Sequence, residues 1–301
     1  MRIVIGSRGS TLALWQANWV QERLAAAGHD VQVRVIRTSG DRLARVSLES
    51  SGVKGLFVKE IEEALAARTI DVAVHSFKDL PTEQPPGLVV AAVPAREDPH
   101  DAYVSRDGAS FSALPPGGRL STSSPRRQSQ LRYLREDIEI VPIRGNVDTR
   151  LRKLECGECD ALVMAAAGLM RLGFLSRITH CFPPGKLCPA VGQGALAIET
   201  RENDKLLAEA VRALDDPVAH ATVRAERATL RRLGGGCAVP IAAHASAAGG
   251  RLEIIGVVAR PDGSRLIRAQ ASGPSSDPDA VGRTLAEDLL RQGAREILGA
   301  E

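Results

Sequence analysis

Aromatic residues are scarce, at 3% of the 301 residues: five phenylalanines, two tyrosines and two tryptophans. The chain therefore lacks the stacking platforms that single-stranded nucleic acid needs. Its cores must be packed from Leu, Val, Ile and Ala. A large charge of one sign is missing too, since the formal net charge is +3, and no nucleic-acid partner is expected. No apolar run reaches the roughly 18 residues that a membrane span requires, so no membrane partner is expected either. The five cysteines are an odd number, which no complete disulfide framework uses up. The start, Met1-Arg2-Ile3-Val4-Ile5-Gly6-Ser7, enters a strand-like run with no signal-peptide hydrophobic region. These features lead us to expect a cytoplasmic protein with reduced thiols.

What is present is ordinary for a globular protein: 44% hydrophobic and 25% charged residues, and length for two or three domains. Arg2 to Ile5 reads as a buried strand. A polar loop, Ser7-Arg8-Gly9-Ser10-Thr11, leads into a helix with Leu12, Trp15, Trp19 and Leu24 near helical spacing, ended by Gly28. Val31 to Ile36 reads as a strand, Phe57 to Ala67 as a helix and Ile70 to His75 as a strand. Arg119 to Ser121, a helix through Leu131 and Leu134, Ile138 to Ile143, a helix from Val147 to Leu154 and a strand from Asp160 to Met164 partly repeat this order. Ile70 to Val74 and Cys159 to Val163 look like counterparts. Such alternation predicts mostly parallel sheets.

The chain is expected to cross between two lobes near Pro94–Pro99 and again near Pro189–Gly194, as two lobes hinged around a cleft require. The expected division is residues 1–95 with 195–215 as lobe 1 and 99–189 as lobe 2. Residues 216–301 form a small C-terminal α/β domain. There Val218 to Leu233 reads as a helix with Gly234 after its end. Ile241–His244, Leu252–Ala259 and Arg265–Ala271 read as an antiparallel three-stranded sheet with turns at Gly249-Gly250 and Pro261-Asp262-Gly263, closed by a helix from Ala280 to Leu298. Gly40 to Gly55 reads either as a lid or as an irregular surface loop.

Two of the predicted strand-to-helix loops, Arg8-Gly9-Ser10-Thr11 and Ser123-Ser124-Pro125-Arg126-Arg127, combine hydroxyls, guanidinium groups and helix N-termini, which suit anions. Arg144 follows a third strand, Arg150 lies about one helical turn further on, and Arg171 follows the run Ala165 to Leu169. Arginine forks match carboxylates bidentately, so these residues either line a polycarboxylate cleft or sit solvated on the surface. Lys78 and Asp79 end the strand that carries His75. Asp79 is either a carboxylate at a cleft floor or a cap. Cys156-Gly157-Glu158-Cys159 has half of a zinc-binding spacing, and Cys181 and Cys188 supply no second half, so no metal is expected. Cys237, after Gly234-Gly235-Gly236, is a thiol in a loop that a bulky group can reach, or a small buried hydrophobe.

Taken in order, several runs resemble the porphobilinogen deaminase (hydroxymethylbilane synthase) family. They are Leu12 to Ala17, Lys54 to Glu60, Asp71 to Asp79, Arg96 to Pro99, Thr122 to Gln128, Arg144 to Val147, Ala167 to Leu169, Pro189 to Ala195 and Gly235 to Cys237. The resemblance implies two periplasmic-binding-protein-like lobes around a cleft plus a third α/β domain. It implies that four porphobilinogen molecules are deaminated and joined head to tail into hydroxymethylbilane, by a monomer. It further implies a dipyrromethane cofactor held through a thioether to Cys237, with Asp79 as the catalytic carboxylate. On the same basis Arg126, Arg127, Ser124, Lys78, Thr122, Ser123, Arg144 and Gly145 bind the cofactor. Arg8, Ser10, Gln16, Arg144, Arg150 and Arg171 bind substrate. Thr11, Val53 and Pro125 depart from the usual pattern without removing a charge or a thiol. The alternative is a two-lobe polycarboxylate-binding protein without chemistry, which needs neither Cys237 nor Asp79.

Overall fold

The computed structural model describes residues 1–39, 58–235 and 240–299. Val53, the stretch Gly40 to Gly55 and Cys237 lie outside the described residues. The chain forms two compact units, residues 1–97 with 195–220, and residues 98–194 with 221–301.

The first unit begins with β1 (Arg2–Ser7), α1 (Thr11–Ala26), β2 (Asp30–Val35), α2 (Lys59–Ala66), β3 (Val72–Ser76) and β4 (Leu88–Ala92). The second contributes β5 (Asp101–Ser105), β6 (Arg119–Ser121), α3 (Pro125–Leu134), β7 (Glu139–Val141), α4 (Val147–Glu155), β8 (Ala161–Ala165), α5 (Ala166–Arg171) and β9 (His180–Phe182). The chain then returns to the first unit as β10 (Leu196–Arg201) and α6 (Lys205–Arg212). After α7 (Pro217–Arg232) come β11 (Ile241–Ala248), β12 (Arg251–Ala259), β13 (Leu266–Pro274), α8 (Pro278–Arg291) and α9 (Ala294–Leu298).

Two five-stranded sheets share one plan, β2-β1-β3-β10-β4 and β7-β6-β8-β5-β9. In each, the second strand is parallel to both neighbours, and the fourth strand runs antiparallel to the strands flanking it. Four of the five strands thus point one way. β3 and β8, the segments matched in the sequence, hold the same place in the two orders. Both are buried along nearly their whole length, as strands covered on two faces must be.

The core of the first unit packs Ile3, Ile5, Val72 and Val74 against Ala17, Val20 and Leu24 of α1. The helix turns a different row inward from the one its sequence suggested: Gln16, Ala17, Val20 and Leu24 are buried, while Trp15 and Trp19 are half-buried. Arg23 lies over the Trp19 ring at 3.4 Å, so the indole stays at the surface as a cation–π partner. In the second unit, scarce rings are pooled: Tyr103 stacks on His180 and meets Phe111 and Phe182 edge-on.

The third sheet, β11-β12-β13, is antiparallel throughout. It is covered by α8, whose Leu285 and Leu289 are fully buried, each contributing about 1.5–3 kcal/mol of transfer free energy. Helix α7 ends in a Schellman arrangement. Gly235 donates to the Leu230 carbonyl and Gly234 (φ +67°) to that of Arg231, as a glycine past a helix end allows. The single closing helix expected from Ala280 to Leu298 is instead two. Gly293 takes φ +96°, which breaks the helix after Arg291. The strand expected from Ile138 to Ile143 forms only over Glu139–Val141, because Ile143 leaves the ladder to bond Ser123.

Candidate active site

In the first unit, the loop after β1 and the residues at the end of β3 meet. Arg8, Ser10, Leu12, Ala13, Gln16, Val58, Val74, His75, Ser76 and Asp79 line a narrow cleft of about 70 Å³. The placement follows from the topology: β1 and β3 are parallel neighbours, so the loops leaving their carboxyl ends lie side by side, where ligands bind in open α/β sheets. Ser10 caps α1, its Oγ accepting from the Ala13 N–H at 3.3 Å, which leaves the helix's N-terminal dipole facing the cleft. Gln16 is 2% exposed and fixed by its Nε2 donating to Ser76 Oγ at 2.8 Å. Lys78 and Asp79 occupy one turn of 3₁₀ helix after β3. Among the described residues, the Asp79 carboxylate has no hydrogen-bond or ion-pair partner. Of the residues expected to bind substrate, the structure brings Arg8, Ser10 and Gln16 to Asp79.

In the second unit, the equivalent loop after β6 leads into α3, with Ser124 as its N-cap accepting from Arg127 N–H and Pro125 in the first turn, where its missing N–H costs nothing. Thr122 is 1% exposed, and its Oγ1 accepts from the Ser124 N–H at 3.3 Å. Ser123 Oγ donates to the Ile143 carbonyl at 2.6 Å and accepts from the Ile143 N–H at 2.9 Å. These hydroxyls thus shape the loop that presents the arginines.

Arg126 and Arg127 are buried, at 5% and 6% exposure. Both converge on Asp101, a residue that the sequence did not single out. Asp101 accepts from Arg126 at 2.7 and 3.2 Å, from Arg127 Nε at 2.9 Å and from Gln193 Nε2 at 2.9 Å. Arg126 also donates to the Cys188 carbonyl, and Arg127 to the Val163 carbonyl and Gln193 Oε1. Burial pushes the Asp101 carboxyl up, but the charges and hydrogen bonds of the two guanidinium groups outweigh it and hold the carboxyl well below the usual carboxylate range. Two cations against one anion leave an excess positive charge. Among the described residues, Arg126 Nε is buried without a hydrogen-bond partner.

Arg150 lies on α4 and donates from Nε to the Gly145 carbonyl at 2.8 Å. Burial, and then the like charge of Arg127, push its guanidinium down to about 10. Gly145 takes φ +110°, and a Cβ there would lie 2.6 Å from Thr149, so this turn admits glycine alone. Arg144 is exposed beside it. Arg171 donates to the Gly194 carbonyl at 2.7 Å, which links α5 to the segment before β10. Of the cysteines, Cys156, Cys159, Cys181 and Cys188 are free thiols. Among the described residues, no group of three or more His, Cys, Asp or Glu side chains is arranged to hold a metal ion, and no helix is long and apolar enough to cross a membrane.

Residues 3–209 match the family model "Porphobilinogen deaminase, dipyromethane cofactor binding domain", and residues 220–291 match "Porphobilinogen deaminase, C-terminal domain". The porphobilinogen deaminase of Desulforudis audaxviator (strain MP104C) is 52% identical over 98% of this chain and 96% of its own. That of Thiobacillus denitrificans (strain ATCC 25259 / T1) is 50% identical over 99% and 98%. Among solved structures, a TRAP periplasmic solute binding protein from Pseudomonas putida F1 overlaps with a TM-score of 0.39 at 10% identity, over 71% of this chain and 77% of that one. The sheets agree with the α/β class expected: two five-stranded, mostly parallel sheets and a small three-stranded antiparallel sheet. With both halves of its length matched and half of its residues shared with such enzymes from end to end, the chain belongs to the porphobilinogen deaminase family.

Proposed function

We propose that Asp79 is the catalytic carboxylate of this enzyme, with Arg8, Ser10, Gln16, Arg144, Arg150 and Arg171 holding the substrate. The enzyme deaminates porphobilinogen and joins the units head to tail into hydroxymethylbilane, a step of tetrapyrrole biosynthesis. The observation that carries the assignment is the carboxylate of Asp79, unengaged among the described residues, in a cleft whose other polar side chains are a guanidinium, two hydroxyls, an amide and an imidazole. Porphobilinogen brings two carboxylates, which cations and N–H donors bind. As ammonia leaves its aminomethyl carbon, positive charge spreads over the pyrrole. A fixed carboxylate at the ring nitrogen stabilises that charge in the transition state. Carbon–carbon bond formation then frees the proton of the attacked ring carbon, and the same carboxylate is placed to accept it.

The family's cofactor is a dipyrromethane, whose acetate and propionate groups need cations. The residues present fit it: Arg126 and Arg127 hold one positive charge more than Asp101 neutralises, and Arg126 Nε is an unpaired donor. When bound, the cofactor supplies the pyrrole carbon from which the chain of rings grows. Cys237 anchors it through a thioether. Arg126, Arg127 and Arg144 meet its carboxylates, Lys78 adds a further cation, and Thr122, Ser123, Ser124 and Gly145 set the loops that carry these groups. This reading keeps residues 1–95 with 195–215, 99–189 and 216–301 as three functional parts. The main hydrophobic cores follow that division, with one small cluster, Cys188 with Ala242 and Val257, joining the second part to the third. The enzyme is further taken as a cytoplasmic monomer, which light scattering on the purified protein tests.

The assignment is tested by the intact mass of the purified chain. The expected mass is that of the chain plus one dipyrromethane, with the adduct lost in Cys237→Ser. An active protein of unmodified mass overturns the anchor. In parallel, Asp79→Asn should retain the adduct and turn over porphobilinogen at least about 100-fold more slowly, the size of a lost acid–base or electrostatic group. Near-normal turnover removes Asp79 from its role.

A further inference from the structure

Behind the wall of the Asp79 cleft lies a group of side chains that the reaction, as derived above, does not use. His75 on β3 lines the cleft, yet its side chain is 4% exposed, and its Nε2 is 3.4 Å from Oε2 of Glu199, which is 0% exposed. Glu199 belongs to β10, where it pairs with Ala73 while His75 pairs with Ala197. The two are therefore diagonal neighbours on one face of the sheet. Glu62, 8% exposed, lies on the buried side of α2, the helix that packs on both β3 and β10. His75 Nε2, both carboxylate oxygens of Glu199 and Oε1 of Glu62 are buried without a hydrogen-bond partner among the described residues.

We propose that Glu62, His75 and Glu199 form one buried proton-holding group behind the Asp79 cleft, and that the proton it carries sets how strongly the cleft holds its anionic ligand. Two carboxylates sharing a site of low dielectric resist ionising together, and one imidazole compensates only one of them. Burial, with the charge of Glu199 added and His75 opposing, pushes Glu62 up to about 7, in keeping with that arrangement. Other charges on the packed elements are committed elsewhere or lie toward the ligand. Arg201 of β10 donates to the Leu65 and Ile70 carbonyls and pairs with Asp71 and Asp204. On α2, Glu60 accepts from Ser39, and Lys59 pairs with Glu63 in solvent. Arg8 and Asp79 face the cleft itself. Raising the pH through neutrality therefore adds one negative charge behind a wall that binds carboxylates. In this sense Glu62 is a positioning residue that acts through His75.

The ligand half of this proposal rests on the cleft being the porphobilinogen site; the proton-holding half does not. With the holoenzyme, the KM for porphobilinogen should rise about three- to tenfold between pH 6 and pH 8, and Glu62→Gln should flatten that rise while leaving kcat within about twofold. Glu199→Gln should move the midpoint to lower pH. A Glu62→Gln enzyme with the unaltered KM profile overturns the proposal. Independently of any variant or of activity, carbon-13 NMR of the wild-type holoenzyme labelled at glutamate carboxyls should show one carboxyl titrating near neutrality. If every glutamate titrates below about pH 5, the proton-holding group does not exist, whatever ligand the cleft binds.

Discussion

Replacing Asp101 by Asn tests the charge cluster of the second unit with almost no change in shape. The carboxylate is fully buried and accepts four hydrogen bonds, three from Arg126 and Arg127 and one from Gln193. Asparagine keeps one acceptor oxygen but turns an NH₂ group toward one set of donors, and it removes the only negative charge bonded to both guanidinium groups among the described residues. Breaking a buried ion pair from one side costs about 3–5 kcal/mol, which for a protein of this size lowers Tm by on the order of 10 °C. The assay is thermal unfolding of the purified holoprotein followed by circular dichroism. The sign of its pH dependence is fixed. Asp101 is held below its unfolded value of about 3.9, so its contribution is present above about pH 4 and is lost as the pH falls toward the folded value. The gap between wild type and variant should therefore be full at neutral pH and shrink in acid. A Tm change under about 2 °C at neutral pH would refute the reasoning.

Two further substitutions probe the neighbouring loop. Gly145→Ala must place a Cβ against Thr149 at φ +110°; it should lower Tm by several degrees and raise KM through the displaced Arg144 and Arg150, and a variant equal to wild type in both would show that the turn tolerates side chains. Arg150 is a cation pushed down to about 10 by burial and by Arg127. Its penalty is full below that pH and is relieved as the pH rises through it. Arg150→Met should thus raise the Tm of the substrate-free protein by roughly 2–4 °C while weakening substrate binding at least tenfold. A fall in Tm together with unaltered KM would contradict both halves of that expectation.

What the sequence disclosed, and what it hid, follow one physical division. Long apolar strands such as β1, β3 and β8, and loops carrying Arg and Ser at helix starts, are local patterns. From them the matched lobes could be anticipated, while the site roles of Arg8, Ser10, Gln16 and Asp79 were implied by the family resemblance. Strand β5 was not legible: Asp-Ala-Tyr-Val-Ser is short and opens on a charge, and only the fold shows that Asp101 is compensated by arginines 25 and 26 residues further on. Glu62 and Glu199 were hidden in the same way, since acidic residues on a helix and a strand look solvated until tertiary packing buries them beside His75. The break at Gly293 was missed because helical periodicity resumes after it.

The central claim is that this chain performs chemistry on its ligand and does not merely bind it. Purified protein incubated with porphobilinogen decides between the two, with ammonia and linear tetrapyrrole product measured together. Catalysis predicts ammonia release in proportion to porphobilinogen consumed, together with hydroxymethylbilane, both abolished in Cys237→Ser and slowed at least about 100-fold in Asp79→Asn. Saturable binding of porphobilinogen without ammonia release would contradict it.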